Sequence, residues 1–307
     1  MGTVLLADGG SSSVRWAIIR PEQRVEFCES PALNPLFGTH DEHLATITSA
    51  LGPSLGGTPV NEVHFYGAAC GADQPGERIH SVLQEAFPAA QIHTDSDMIA
   101  ASLACWRGQP GLTAIVGTGC NVGYYDGREM VYYRPSLGYV LGDEGSGAWI
   151  GKRLVRDWLY DYLPTGLARA LHDFAGSTCG VSQCEHGVYS CKEIVEQVYR
   201  GAHPNAFLSR FAQVAIEHQD VPCCHDLLRE AMEQFVQHLC VPAKQCGQVE
   251  LRAAGTVAWY CRDYLAEACH DAGLHLSEVQ RSPIVGLAQH WMASQGGSPI
   301  LHTAAGS

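Results

Sequence analysis

The sequence predicts an α/β protein made of two domains. Its 307 residues are about twice the usual length of a single domain. Up to Trp106, short apolar runs and amphipathic segments follow each other in the order βββαβαβα. A strand, a Gly-rich polar loop and a second strand occur twice, as LLADGGSSSVRWAII and as AIVGTGCNVGYYDG. These observations predict two α/β domains that begin in the same way.

The first half is predicted to open with a meander of three strands, because apolar runs at 3–7, 14–19 and 25–29 are separated by turn residues. The elements expected after them are a helix at 41–51, a strand at 63–66, a helix at 77–87, a strand at 91–94 and a helix at 97–106. The second half is predicted to contain strands at 112–116, 122–125 and 249–253, with mainly helical chain between 148 and 239. A final helix is expected from Pro283.

Composition and charge exclude several classes of protein. The chain has 19 Lys plus Arg against 32 Asp plus Glu, a net charge of -13, and its longest basic cluster is Lys152-Arg153, so no nucleic-acid partner is expected. It has no run of about 18 apolar residues and no basic-then-apolar signal pattern at the N-terminus. We therefore expect a cytoplasmic protein without a membrane partner.

The 13 cysteines favour reduced thiols over disulfides or a metal centre. Their number is odd, and they are scattered through predicted strands and helices. Cys179, Cys184 and Cys191 are separated by four and six residues, and no C-x-x-C pair is present. We therefore expect neither a zinc nor an iron-sulfur site.

Two Gly-rich hairpin loops could hold phosphate groups. The loops at 8–12 and 117–119 offer main-chain N-H groups and hydroxyls in a small space, which suits phosphate oxygens. Either loop alone is also typical of an ordinary tight turn. Asp8 would be useful beside a phosphate if Mg2+ lies between them.

Four segments occur together in one order: Asp8-Gly9-Gly10-Ser11-Ser12, Gly117-Thr118-Gly119-Cys120-Asn121, Gly142-Asp143-Glu144-Gly145-Ser146-Gly147 and Gly255-Thr256-Val257-Ala258. In these segments the chain resembles the BadF/BadG/BcrA/BcrD-type ATPases, and most closely their N-acetylglucosamine kinase-like branch, within the actin-like ATPase and sugar kinase superfamily. The resemblance extends from Asp8 to the stretch 283–287. It implies two ribonuclease H-like domains around a central cleft, one formed by 1–108 with 283–307 and the other by 109–282 with a helical insertion. It also leads us to expect a homodimer.

The resemblance implies binding residues for the nucleotide. ATP would be held by Gly10, Ser11, Ser12, Thr118, Gly119, Gly255 and Thr256, with Asp8 at the Mg2+. The chain departs from the family at one point: a basic residue commonly follows the first hydroxyl, whereas Ser13 stands here and the next basic residue is Arg15.

The resemblance also implies a sugar site. The substrate-binding residues would be Asn34, Asp97, Cys120, Asn121, Gly138 and Asp143. Asn34 precedes Pro35, and apart from the resemblance an Asn before a Pro is usually a turn former. Gly142 and Gly145 are expected to let the main chain approach the substrate, and a helix beginning near Ser146 is expected to aim its N-H groups at the transferred phosphate.

Asp97 is the expected catalytic base. It opens the helix predicted at 97–106, where an acidic residue is also typical of an N-cap or first turn. A sugar hydroxyl needs a base to accept its proton, and the family has an Asp at this helix start. Asp95 remains an alternative two residues earlier.

The sequence therefore predicts an ATP-dependent kinase that phosphorylates an amino sugar, with N-acetylglucosamine and its C6 hydroxyl as the expected acceptor. One alternative is an ATPase activator subunit of a dehydratase or reductase, which the missing cysteine motif argues against. Another is a sugar- or nucleotide-binding regulator without catalysis, which Ser13 leaves open. N-acetylmuramic acid, glucosamine and glucose remain open as substrates.

Overall fold

The computed structural model describes residues 2–71, 73–106, 108–178, 191–245, 247–296 and 300–301. The chain forms two compact units. Unit 1 contains Met1–Thr113, Tyr125–Met130 and Ser282–Ser307, and unit 2 contains Ala114–Tyr124 and Val131–Arg281. Residues 109–113 and 125–130 thus lie in unit 1, whereas the sequence prediction assigned them to the second domain.

The strands are β1 (Thr3–Gly9), β2 (Ser13–Ile19), β3 (Arg24–Pro31), β4 (Val60–Gly67), β5 (Gln91–Ser96), β6 (Gly111–Val116), β7 (Cys120–Tyr125), β8 (Met130–Val131), β9 (Glu250–Ala254), β10 (His275–Gln280) and β11 (Ile300–Leu301). The α-helices are α1 (His40–Leu55), α2 (Asp73–Ala86), α3 (Asp97–Ala104), α4 (Gly138–Leu141), α5 (Gly147–Leu159), α6 (Thr165–Thr178), α7 (Cys191–Arg200), α8 (Pro204–Arg210), α9 (Ala212–Glu217), α10 (Pro222–Phe235), α11 (Val241–Gln245), α12 (Thr256–Tyr260), α13 (Arg262–Asp271) and α14 (Pro283–Ser294). A π-helical turn at Val236–Cys240 joins α10 to α11. The α/β class and the order of the first eight elements agree with the sequence prediction.

The sheet of unit 1 has the strand order β11-β3-β2-β1-β4-β5. Strands β1 and β2 are antiparallel, while β1, β4 and β5 run parallel, so the carboxyl ends of these three strands share one edge. Because successive side chains of a strand point to opposite faces, β1 contributes to two cores. Leu5 packs in the core that includes residues of α1 and α2, and Leu6 packs in the core that includes residues of α3 and α14.

The second sheet repeats this arrangement. Its order is β10-β9-β6-β7-β8, which read from β8 is the same succession as β3-β2-β1-β4-β5. The similar loop sequences therefore follow the first strand of two sheets with one topology. The sequence missed β8 and β10, since β8 has two residues and β10 is built from HLSEVQ, which has no buried face.

Helices fill most of unit 2, as the sequence predicts. Phe211 lies at the centre of an aromatic cluster, with ring centroids 5.4 Å from Phe207, 5.7 Å from Phe174 and 6.3 Å from Trp158. On α5, Arg153 donates two hydrogen bonds of 3.0 Å to Glu230 of α10. These contacts fix α5, which begins directly after residues 142–146, called the GDEGS segment below.

In the part of the chain that the structure describes, no helix is both long and apolar enough to cross a membrane. In that same part, no group of three His, Cys, Asp or Glu side chains could hold a metal ion. None of the nine cysteines whose side chains are described there forms a disulfide. Cys179 and Cys184 lie outside the described residues, as does the side chain of Cys191.

Candidate active site

The first loop closes as a tight hairpin. Gly10 N-H donates a hydrogen bond of 3.0 Å to the carbonyl of Ser13, and Gly9 opposes Val14 across the two strands. Asp8, one residue before the end of β1, is half-buried, whereas Ser12 at the tip is exposed. The loop therefore presents its main chain and hydroxyls next to a partly enclosed carboxylate.

Helix α3 begins directly after β5, which fixes the side chain of Asp97. Ser96 caps the helix, because its hydroxyl oxygen accepts a hydrogen bond of 3.2 Å from Met98 N-H. Oδ1 of Asp97 accepts hydrogen bonds from the Met98 N-H (3.0 Å) and from the Ser96 hydroxyl (3.2 Å). These bonds hold one oxygen of a half-buried carboxylate, at the strand edge where β1 also ends.

The structure brings Asp97 and Asp8 together. Burial raises the pKa of Asp8 to about 7, the charge of Asp97 raises it too, and the nearby Arg15 guanidinium lowers it. Burial also raises the pKa of Asp97 to about 6, against the lowering effect of its bonds with Ser96 and Met98. Two carboxylates with raised pKa values in one place are typical of a site that handles protons or cations.

Asp95 is placed differently. Its side chain is exposed, and its Oδ1 accepts a hydrogen bond of 2.7 Å from Ser96 N-H. Of the two acidic residues around Ser96, Asp97 is therefore the one that lies beside Asp8.

Asn34 forms a turn. Its Oδ1 accepts a hydrogen bond of 2.9 Å from Leu36 N-H, and its carbonyl accepts one of 3.1 Å from Phe37 N-H. The turn-forming alternative raised by the sequence is thus present. The side chain is half-buried, and its Nδ2 group is the part of the amide that could donate to a sugar.

The second loop, in unit 2, is held by the start of α5. Within the loop, Gly117 N-H donates to the carbonyl of Gly119 over 2.9 Å. Gly147 N-H donates to the carbonyl of Gly117 (2.8 Å), and Ala148 N-H donates to the carbonyl of Thr118 (3.0 Å). Trp149 N-H donates to the capping hydroxyl of Ser146 over 3.2 Å. The expectation that these N-H groups face a phosphate is therefore wrong, because the loop and the cap already occupy them.

The GDEGS segment also lies against this loop. Asp143 adopts a left-handed φ of 56°. Burial raises the pKa of its carboxyl group, and a hydrogen bond from Cys120 N-H lowers it. The Cys120 thiol donates to the carbonyl of Glu144 over 3.2 Å. Cys120 and Asp143 thus lie together and line one cavity, whose wall also includes Arg134.

The two glycines flanking the acidic pair serve packing. At Gly145, which has a φ of +86°, an added Cβ would lie 2.6 Å from Cβ of Phe235 and 2.7 Å from the carbonyl oxygen of Ala231. At Gly142 it would lie 2.9 Å from Cβ of Leu137. These protein neighbours already explain the absence of side chains, so the expected approach to substrate is not needed to account for them.

The remaining predicted residues of unit 2 lie at the ends of strands and helices. An added Cβ at Gly255 would lie 2.3 Å from the carbonyl oxygen of Val116, so the end of β9 lies against the end of β6, and Thr256 begins α12. Asn121 on β7 is half-buried, and its Oδ1 accepts a bond of 2.9 Å from Val122 N-H. Gly138 begins α4 with a φ of +69°.

A solved structure shows the family. A chain of Porphyromonas gingivalis, described as a candidate N-acetylglucosamine kinase, is 30% identical to this chain, with a TM-score of 0.81 and coverage of 94% of this chain and 98% of that one. The chain belongs to the sugar kinase family. A ROK family glucokinase from Streptomyces griseus, solved with glucose and AMPPNP, has 14% identity and a TM-score of 0.57 over 96% of this chain and 100% of that one. That second likeness confirms the sugar kinase fold alone.

A curated relative of the chain is the glucosamine kinase GspK of Vibrio cholerae. It is 31% identical over 160 residues, which is 50% of this chain and 53% of the relative. The match thus spans about half the length of that relative. No protein-family model matches the chain.

Two neighbours of the carboxylate pair, Ser96 and Arg15, were not among the residues predicted from the sequence. Ser96 both caps α3 and binds Asp97, and a Ser immediately before an acidic helix start could have indicated this. In the sequence, Arg15 stands out only as the next basic residue after Ser13. Pairing β1 with β2 around the loop would have placed it opposite Asp8.

Proposed function

We propose that the protein is an ATP-dependent amino sugar kinase, which transfers the γ-phosphoryl group to the C6 hydroxyl of N-acetylglucosamine. The observation that carries the proposal is the half-buried Asp97, with a pKa of about 6, beside Asp8 at the carboxyl edge of the first sheet. Membership of the sugar kinase family supports it. The BadF/BadG/BcrA/BcrD-type branch is part of the proposal, on the strength of the four loop segments.

Asp97 acts as the general base in this reaction. The C6 hydroxyl oxygen bonds to the γ-phosphorus, the bond from the γ-phosphorus to the bridging oxygen breaks, and the hydroxyl proton moves to the carboxylate of Asp97. ADP leaves with the bridging oxygen. A pKa of about 6 leaves the carboxylate mostly ionised at neutral pH while keeping it basic enough to accept the proton.

The loops bind the nucleotide. Main-chain N-H groups and hydroxyls of Ser11 and Ser12 in the first loop, and of Thr118 and Gly119 in the second, hold the phosphates. Gly10 shapes the first loop through its bond to Ser13, and Gly255 with Thr256 lies near the adenosine. The hairpin bond from Gly10 to Ser13 and the anchoring of the second loop on α5 support this assignment, because both keep the loop main chain in one conformation.

Asp8 fits a magnesium ligand. Mg2+ prefers carboxylate oxygens together with substrate phosphates, and Asp8 is a half-buried carboxylate whose pKa is raised by burial and by Asp97, so a nearby cation would favour its charged form. When bound, the ion would neutralise negative charge on the phosphates. Asp8 would hold it from the end of β1.

We assign sugar binding to Asn34, Asp97, Cys120, Asn121, Gly138 and Asp143. The contacts of Cys120 with the GDEGS segment support the placement of Asp143, since they fix its main chain beside the second loop. At Asn34, the turn leaves Nδ2 as the donor. Glucosamine is the nearest competing substrate, because the curated relative carries that name.

The proposal extends to the state of the protein in the cell. We propose a cytoplasmic homodimer without a nucleic-acid partner. The net charge of -13 supports the last point, because a negatively charged protein repels the phosphate backbone. Light scattering on the purified protein tests the dimer: a monomer mass at micromolar concentration would contradict it.

A coupled assay of ADP release tests the central proposal. Purified protein, ATP and Mg2+ are combined with N-acetylglucosamine, glucosamine, N-acetylmuramic acid or glucose, and phosphorus NMR locates the phosphate on the product. We expect sugar-dependent ADP release, highest with N-acetylglucosamine. Nucleotide and sugar binding without ADP release would contradict the kinase and favour a regulator. The activator subunit is not favoured, because the relatives are sugar kinases.

A further inference from the structure

We infer that Arg15 is the side chain that supplies positive charge to the nucleotide phosphates at the first loop. This inference rests on the proposed function, because it assumes that the loop holds ATP. It adds a nucleotide-binding residue to the set taken from the resemblance.

The pairing of β1 with β2 places Arg15 directly opposite Asp8. Directly paired residues of an antiparallel sheet project from the same face, with Cβ atoms about 5 Å apart. On that face, the pair Leu6 and Ala17 comes next along the strands, and both lie in the core that includes residues of α3. Arg15 therefore lies on the face that also carries Asp8 and is covered by the helix that begins at Asp97.

The loop needs a cation if it binds ATP. From Asp8 to Val14 the chain contains no Lys or Arg, and its hydroxyls and N-H groups are neutral. Asp8 and Asp97 add two carboxylates close to this loop, and both would repel a polyphosphate. Arg15 is the first basic residue after the loop in the sequence. It lies on the same strand face as Ser13, because side chains two residues apart in a strand point to the same side.

The guanidinium of Arg15 is available. It is close enough to Asp8 to affect its ionisation, but among the described residues no carboxylate lies within 4.0 Å of it and no hydrogen bond holds it. Glu29, which opposes it on β3, is exposed and forms no ion pair with it in the described chain. A half-buried Arg with its five donors unoccupied suits bidentate binding of phosphate oxygens.

Direct nucleotide binding tests the assignment. Calorimetry measures the affinity of the wild type, Arg15→Gln and Arg15→Lys for AMPPNP and for adenosine. Arg24→Gln is the matched control, since Arg24 lies at the far end of the β2-β3 hairpin and its Nε is 3.6 Å from Glu26. We expect Arg15→Gln to weaken AMPPNP binding by about 10- to 100-fold, as for a lost bond to a charged group, and to leave adenosine binding unchanged. Arg15→Lys should lose less, and Arg24→Gln should bind like the wild type.

The outcomes separate this inference from the proposed function. Unchanged AMPPNP affinity in Arg15→Gln overturns the inference even if the wild type is an active kinase. Equal losses for AMPPNP and adenosine also overturn it, because they indicate a structural role. If Arg15→Gln does not fold, Arg15→Lys decides: a loss of AMPPNP affinity with unchanged adenosine binding supports the assignment. An AMPPNP affinity equal to that of Arg24→Gln, or a loss that also affects adenosine, overturns it. A selective AMPPNP loss in a wild type without sugar-dependent ADP release keeps the inference and removes the kinase.

Discussion

The carboxylate of Asp97 lies beside that of Asp8, where it adds to the effect of burial in raising the pKa of Asp8 to about 7. Asp8 lies one residue before the end of the first strand and Asp97 begins a helix, so neighbouring elements of a parallel arrangement bring them together. The pair joins a group proposed to accept a proton with one proposed to hold a cation.

Replacing Asp97 by Asn should reduce turnover by roughly 10²- to 10⁴-fold, the range of a lost general base, with a much smaller change in sugar affinity. Asp95→Asn is the control and should stay within a few-fold of the wild type, because that carboxylate is exposed. Steady-state ADP release and sugar calorimetry measure the two quantities. Loss of activity in Asp95→Asn alone would move the base to Asp95.

The rate should depend on pH through Asp97. Its pKa is raised to about 6, so kcat/KM should rise as the pH increases through about 6 and level off above it, where the base is ionised. Ser96→Ala removes a hydrogen bond that lowers this pKa, so the rise should move to higher pH. A profile that is flat between pH 5 and pH 8, or that falls in this range, would contradict a carboxylate base.

Asp8→Asn should stabilise the metal-free protein at pH 8. The folded pKa of about 7 lies above the ordinary value of 3.8, so the cost of ionising Asp8 in the folded state is absent below pH 3.8, grows up to pH 7 and is fully present above it. Solvent at this half-buried group screens part of the effect, so we expect a gain on the order of 1 kcal/mol in the free energy of unfolding at pH 8. Urea denaturation with EDTA at pH 4 and pH 8 measures it, and an equal gain at both values would rule out this origin.

Gly145→Ala should lower the free energy of unfolding by about 2–4 kcal/mol, because the added Cβ would clash with Phe235 and Ala231 and the φ of +86° disfavours a side chain. Gly56→Ala is the matched control. Gly56 has a φ of +57° and no atom within 4 Å of an added Cβ, so about 1 kcal/mol is expected. Equal losses in urea denaturation would show that backbone strain alone acts at Gly145.

The sequence predicted local features better than distant contacts. The helix start at Asp97 follows from neighbouring residues, with Ser96 immediately before an apolar stretch. The hydrogen-bond acceptors of the α5 N-H groups do not follow from neighbouring residues, because Gly117 and Thr118 lie about 30 residues earlier in the chain. The packing role of Gly145 could not be predicted for the same reason, because its sequence neighbours do not reveal that Phe235 packs against it.

The hydrogen bonds that join the start of α5 to the second loop affect which substitutions this loop can accept during evolution. The two bonds from Gly147 and Ala148 join main-chain atoms, so neither bond uses the side chain at position 118. Selection can thus exchange the hydroxyl of Thr118 for another group without altering the path of the loop. A substitution at position 118 can therefore change how this loop contacts a nucleotide while the path of its main chain stays the same.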